Sequence, residues 1–314
     1  MKAVLSLLFL VLSGNLFSQK IEQYYDYQWK LTEPASARYL SIVERKDSLW
    51  NRQDYFIYEK SLQMEGNFKE AECKTQEGLF TYYHSNKVME SVGKYKNGKR
   101  DGLWLRYHRN GLMSDSVTYN MGAVIGLRLR WHSNGFPRDS AVFNEDGSGV
   151  EVCWFDNGKP SSAGRFGPGT KQLGKWQYFH RNGNLSASEV YNNGELLSRT
   201  YFSEDGQQLS DTTNQDREAE FRGGNKAWQS YLLKQLYFPS QWKFTQGTQA
   251  VVIVQWVIDE DGLIQDAEVI SSLHPDFDKV ALQKIKNSPN WIPAIDHNRK
   301  VKAFRRQPIT FAQR

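Results

Sequence analysis

Four of the six histidines stand in a column: His84, His108, His132 and His180 each directly follow an aromatic residue at a recurring interval. Imidazoles so arranged could hold metal ions or pass protons. Equivalent places in successive two-stranded units lie about 10 Å apart, whereas zinc needs its ligand nitrogens within about 2 Å. The column therefore reads as one polar strand position repeated, and no metal site is expected. Cys73 and Cys153 are the only cysteines. Their offset along such an array, roughly 30 Å, far exceeds the ~7 Å that a disulfide tolerates between Cα atoms, so two unpaired, mostly buried thiols are expected. His274 and His297 are isolated, and the acidic run Asp259-Glu260-Asp261 suits a hairpin tip. No Gly-x-Ser-x-Gly, His-Glu-x-x-His or paired-cysteine spacing occurs. The glycine-rich stretch 164–169 falls in a repeat turn and not between a strand and a helix, so it does not read as a phosphate loop. The chain thus reads as non-enzymatic, with no cofactor.

The elements that position these residues follow from an internal period. Tyr83, Tyr107, Trp131, Trp154 and Phe179 are each followed three residues later by Asn and preceded five residues earlier by Gly. A second ring, Tyr95, Tyr119, Phe143, Phe166 or Tyr191, comes twelve residues after each. A period in the twenties marks a stacked array, which favours binding over catalysis. Alternating segments broken by Asn110-Gly111, Asn134-Gly135, Asn157-Gly158 and Asn182-Gly183 at one end predict hairpins with type I′ turns. Asn97-Gly98, Asn193-Gly194 and Asp146-Gly147 close the other end. The expected fold class is a mainly β array, an antiparallel hairpin meander, over 54–206, with 19–53 as a lead-in or cap. The first rings, Tyr83, Tyr107, Trp131, Trp154 and Phe179, are candidate binding positions on the array. Arg106 and Arg130, with Lys94, Lys96, Lys99 and Arg100, could favour an anionic partner, though such residues more often form a solvated face. Forty basic against thirty-five acidic residues is too even a balance to point to nucleic acid.

Residues 207–220 are polar and lack the repeat spacing, which marks a linker. Beyond it, Asn225 can cap a helix carrying Trp228, Tyr231, Leu232 and Leu236, stopped by Pro239. Gln249 to Ile258 and Leu263 to Ser271 read as a hairpin. Pro275 opens a second helix with Phe277, Val280, Ala281 and Ile285 inward, and Val301 to Phe311 is a last strand. The residues 221–314 are thus expected to form a small α+β unit, two helices on a three-stranded antiparallel sheet. At the other terminus, residues 1–18 combine Lys2, the apolar run Ala3 to Leu12 and a small residue before Gln19, as a secretory signal cleaved near Ser18 does. A periplasmic or outer-membrane-associated location is expected, peripheral to a membrane at most.

Two resemblances emerge. The Gly-x-(Trp/Phe)-x-x-(Tyr/Trp)-x-x-Asn-Gly units over about 54–206 are similar to MORN-type repeats of the variant common in exported bacterial proteins, which implies a scaffold. Phe221-Arg222-Gly223-Gly224, Tyr237-Phe238-Pro239, Val254 to Ile264, Asp278, Trp291-x-Pro293-Ala294 and Pro308-Ile309-Thr310-Phe311 resemble the TonB C-terminal domain over 221–312. That resemblance implies docking of an extended segment of an outer-membrane TonB-dependent receptor along the last strand, at Val301, Lys302, Ala303, Phe304, Arg305 and Arg306. It departs from an energy transducer in having no proline-rich run, an apolar start that looks cleavable, and only Gln235 to Pro239 for the usual Gln-Pro-x-Tyr-Pro. Three roles follow: a strand-docking envelope protein, a repeat scaffold binding glycan, lipid or protein with the TonB-like unit as tether, or an anchored energy transducer.

Overall fold

The computed structural model describes residues 20–243 and 250–311; the expected signal segment and its cleavage point lie outside them. Fifteen strands run in chain order through a single antiparallel sheet. They are β1 (Lys20–Tyr25), β2 (Tyr39–Lys46), β3 (Leu49–Phe56), β4 (Ser61–Phe68), β5 (Gln76–Tyr83), β6 (Met89–Lys96), β7 (Lys99–Tyr107), β8 (Met113–Asn120), β9 (Ala123–Trp131), β10 (Pro137–Phe143), β11 (Gly149–Trp154), β12 (Pro160–Gly167), β13 (Lys171–Phe179), β14 (Leu185–Asn192) and β15 (Glu195–Tyr201). The lead-in before residue 54 supplies the first strands of the same sheet.

The two ends of the sheet turn differently. Asn97-Gly98, Met121-Gly122 and Asn193-Gly194 have both residues left-handed, as a two-residue type I′ turn requires. At the opposite end the expected type I′ turns do not form. In the loop after β7 only Gly111 has positive φ, its N–H donates to the His108 carbonyl at 2.8 Å, and the ladder slips a residue at Tyr107. This is a three-residue loop ending in a glycine bulge. Asn110 is needed for something else: its Oδ1 accepts the Leu112 N–H at 3.1 Å and its Nδ2 donates to the Ser133 carbonyl of the next loop at 2.7 Å.

That side chain belongs to a set of stitches. Asn86, Asn134, Asn157 and Asn182 likewise donate to carbonyls of the following unit, those of Arg109, Asp156, Arg181 and Glu204. The histidine column does the same: Nε2 of His84, His108, His132 and His180 lies 2.9 to 3.0 Å from the carbonyls of Tyr107, Trp131, Trp154 and Phe202. A net contribution of about 0.5–1.5 kcal/mol per bond is ordinary. The fourth unit carries Phe155 where the others carry His.

One face of the array holds its core. Phe80, Trp104 and Trp176 are almost fully buried, and each lies flat on a glycine of the preceding strand, Gly66, Gly93 or Gly164. A Cβ built on Gly93 would stand 2.2 Å from the Trp104 ring, and one on Gly164 2.1 Å from Trp176. The indole N–H groups then reach the Lys94 and Arg165 carbonyls. In the third and fourth units the preceding strand presents Val117 or Ala141 instead, and the ring positions are taken by Arg128 and Glu151. There is no room for an indole above a Cβ, and the two substitutes pair with each other.

In the C-terminal unit, α1 (Gly224–Gln235) and α2 (Pro275–Lys286) cover one face of a sheet of order β17 (Ile264–Ser271), β16 (Ala250–Ile258), β20 (Ala303–Phe311); β18 (Ala294–Asp296) and β19 (Arg299–Val301) form a separate short hairpin. Trp228, Val252, Val254, Trp256, Ile285 and Ile309 lie in its core. Two boundaries differ from expectation. The cap of α1 is Gly223, not Asn225, because Gly223 and Gly224 both take positive φ and start the helix earlier. The last strand breaks at Lys302, where the chain leaves the short hairpin for β20.

The glycine rule is testable. Gly93→Ala should lower the stability of the array by about 1–3 kcal/mol, the usual cost of overpacking, read as a fall in the urea midpoint. An unchanged midpoint would show that Trp104 has room to move.

Candidate functional site

Strand β20 lies at the margin of its sheet. Nine residue pairs, from Ala250 opposite Phe311 to Ile258 opposite Ala303, join it to β16, and among the described residues no strand pairs with its other flank. Its side chains alternate: Ala303, Ile309 and Phe311 enter the core, while Phe304, Arg306, Pro308 and Thr310 point to the opposite face. Phe304 is 62% exposed, an unusual state for a phenyl ring. Arg305 donates to the Ala219 carbonyl and lies 3.8 Å from Glu218. The linker therefore leans on this edge through a side chain, its own backbone bridges going to Ile292 and Ile295.

Val301 and Lys302 have a different setting. Val301 ends β19 opposite Ala294, and Lys302 Nζ lies 2.5 Å from Asp156 of the array. They belong to a broader contact in which the C-terminal unit rests along the stitched ends of the hairpins. The tip of the β18–β19 hairpin carries the contact furthest. His297 stacks on Tyr178 with ring centres 3.5 Å apart, and its Nδ1 is 2.9 Å from Glu189 Oε2. Asn298 donates to the Ser186 and Phe202 carbonyls at 3.2 and 2.9 Å. Arg299, only 9% exposed, donates to the Phe179 and Ser161 carbonyls and sits over the Phe155 and Tyr178 rings. Further along, Arg181 meets Glu260 at 3.1 Å, Arg109 meets Glu268 at 2.5 Å, and Arg38 donates to the Val251 carbonyl.

Of the first rings in the units, Tyr83, Tyr107, Trp131, Trp154 and Phe179, all are half-buried and each ends its strand just past a slip in the ladder. Trp154 joins Val301 and Lys302 around one cavity, whose walls also include Arg299. Cys73 and Cys153 are unpaired and half-buried, and burial pushes both thiols up to about 11. Among the described residues, no three His, Cys, Asp or Glu side chains converge as metal ligands would, and no helix is long and apolar enough to cross a membrane. Sequence reasoning missed His297, Asn298, Arg299 and Asp156 as contact residues. The signal available for them was the break in the repeat at Phe155, Arg128 and Glu151.

The site thus defines a class: a small α+β unit that presents an edge strand, carried on a β-hairpin array. Residues 234–312 match the family model described as the Gram-negative bacterial TonB protein C-terminal. The match takes in α2, all the strands of the unit and only the last residues of α1, so Phe221 to Gly224 lie outside it. No curated protein matches the chain.

The clasp has a titratable member. Burial drives the Glu189 carboxyl upward, but the His297 imidazole 2.9 Å away and the hydrogen bond donated by the Tyr191 hydroxyl outweigh it and hold the group below its ordinary value of 4.5. A carboxyl depressed in this way stabilises the fold above pH 4.5 and loses that contribution as pH falls below it. Stability measured by thermal melts should drop below pH 4.5, and Glu189→Gln should be less stable at neutral pH but flatter across that acid limb. Parallel curves for the two proteins would remove Glu189 from the account.

Proposed function

We propose that this chain is an exported, non-catalytic protein of the cell envelope whose TonB-like C-terminal unit docks an extended segment of a partner protein by strand addition along β20. The observation that carries the reading is that, among the described residues, β20 has a single neighbour: a strand with one flank unpaired offers its N–H and C=O groups to another chain. Ala303 to Arg306 supply the backbone of the docking edge, with Phe304 as the exposed anchor beside it. Val301 and Lys302 flank its start. The family match supports a partner in the envelope, of the kind represented by an outer-membrane TonB-dependent receptor. Pro308, which has no N–H, limits the ladder toward the end of the strand.

A second reading puts binding on the array, as a MORN-type scaffold for glycan, lipid or protein. One observation favours it: Leu79, Leu103, Leu127 and Val150 stand exposed at equivalent places on the alternate strands β5, β7, β9 and β11. Apolar side chains in such a row are suited to contact with another surface.

Hydrogen exchange on the full chain, with and without a synthetic peptide from the N-terminal segment of such a receptor, separates the two. Strand addition protects the alternate amides within 303–307 that face away from β16, and Phe304→Ala weakens the peptide at least tenfold, as loss of an aromatic anchor does. Protection confined to the array would assign the partner to the repeats and refute the β20 reading.

A further inference from the structure

A cavity of about 250 Å³ lies where the fourth unit of the array meets the β19–β20 junction. It occupies the stretch in which the repeats abandon their own pattern, with Phe155 where other units have His, and Arg128 and Glu151 where the first, second and fifth have a ring. Five cationic side chains, Arg130, Arg138, Arg181, Arg299 and Lys302, line it against three carboxylates, Asp139, Asp156 and Glu260. Including the Arg128–Glu151 pair just behind the wall leaves the excess of two positive charges unchanged.

The carboxylates are shared among several cations. Asp139, 2% exposed, is within 3.3 Å of Arg128, Arg130 and Arg138, and Asp156 serves both Arg181 and Lys302. Arg299 has no carboxylate within ion-pair distance among the described residues, and its buried Nε has no hydrogen-bond partner. The nearest counter-charge, Asp296, faces it across the β18–β19 hairpin without a direct ion pair, and a guanidinium more than nine-tenths buried without a direct pair is costly unless something compensates it. Trp154, Phe155 and Val301 supply an apolar part of the wall.

From this juxtaposition we infer that the cavity is a binding site for a phosphoryl group, held between the array and the C-terminal unit. The excess of two positive charges among the lining residues matches a phosphate dianion, and arginine forks match phosphate oxygens two at a time. The space is below the usual range for drug-sized ligands, so the ligand is inorganic phosphate or a small phosphate monoester whose carbon portion rests on the rings. Because Arg299, Lys302 and Glu260 come from one unit and Arg130, Arg138 and Arg181 from the other, the ligand bridges both. The site does not depend on strand docking at β20.

Titration calorimetry of the full chain at constant ionic strength tests it, with inorganic phosphate, glycerol 1-phosphate and acetate as probes. Saturable binding of phosphate or of the monoester is expected, with acetate at least tenfold weaker; tighter binding of the monoester would place the apolar wall in the site. Arg138→Met, whose side chain is half-exposed and so tolerates replacement, should weaken the phosphate probes about tenfold. Asp156→Asn frees Lys302, leaves Arg181 only its Glu260 pair and should tighten the phosphate probes, a change of sign that a merely structural residue does not give. No saturable binding at millimolar probe, acetate equal to phosphate, or affinities unchanged in both variants would overturn the assignment.

Discussion

An aromatic ring can lie flat on a neighbouring strand only where that strand presents hydrogen instead of a β-carbon. Much of the array follows from where this condition is met. At Gly66, Gly93 and Gly164 it is met, and Phe80, Trp104 and Trp176 seal the inner face. At Val117 and Ala141 it is not, and the third and fourth units carry Arg128 and Glu151 in place of rings. Apolar units thus flank a charged interval on both sides, and the C-terminal unit sets Lys302 and Arg299 against that interval.

A buried ionic interval is seldom a gain in stability, since removing charges from water costs about what their pairing returns. Its value lies in orientation. Asp139 can satisfy three guanidinium groups only if β9, β10 and their neighbours keep one register, and Asp156 can reach Lys302 only if the C-terminal unit sits in one place. The hairpin tip at His297 and Asn298 fixes the same placement through backbone carbonyls of the array. Geometry is bought here with polar contacts, each directional, where an apolar interface would have allowed sliding.

Much of this was legible in the sequence, and the limits have physical causes. The period of rings and glycines implied the meander, and helical and alternating spacing implied the α+β unit, because both depend on neighbours close in the chain. The turns at Asn110 and its equivalents were misjudged because an Asn-Gly pair suits two loop types, and the choice was made by the next unit's carbonyl competing for the amide. The histidine column was visible, but its purpose required the partner strand: each ring faces a carbonyl 22 or 23 residues on. Asn225 lost the cap to Gly223 because two successive left-handed residues bring the chain into the helix sooner. The clasp itself joins residues separated by more than one hundred positions, as Asn298 and Ser186 are, and no local pattern encodes such a meeting.

The pairing of β20 has a mechanical corollary. Tension applied along that strand would load all nine of its cross-strand pairs with β16 at once, whereas a pull at right angles would open them singly. Lys302 and Arg299, at the upstream end, would pass the load into the hairpin ends of the array, where amide and imidazole side chains couple each loop to the next. A molecule built this way resists shear far better than peeling, and it spreads a local tug over many strands.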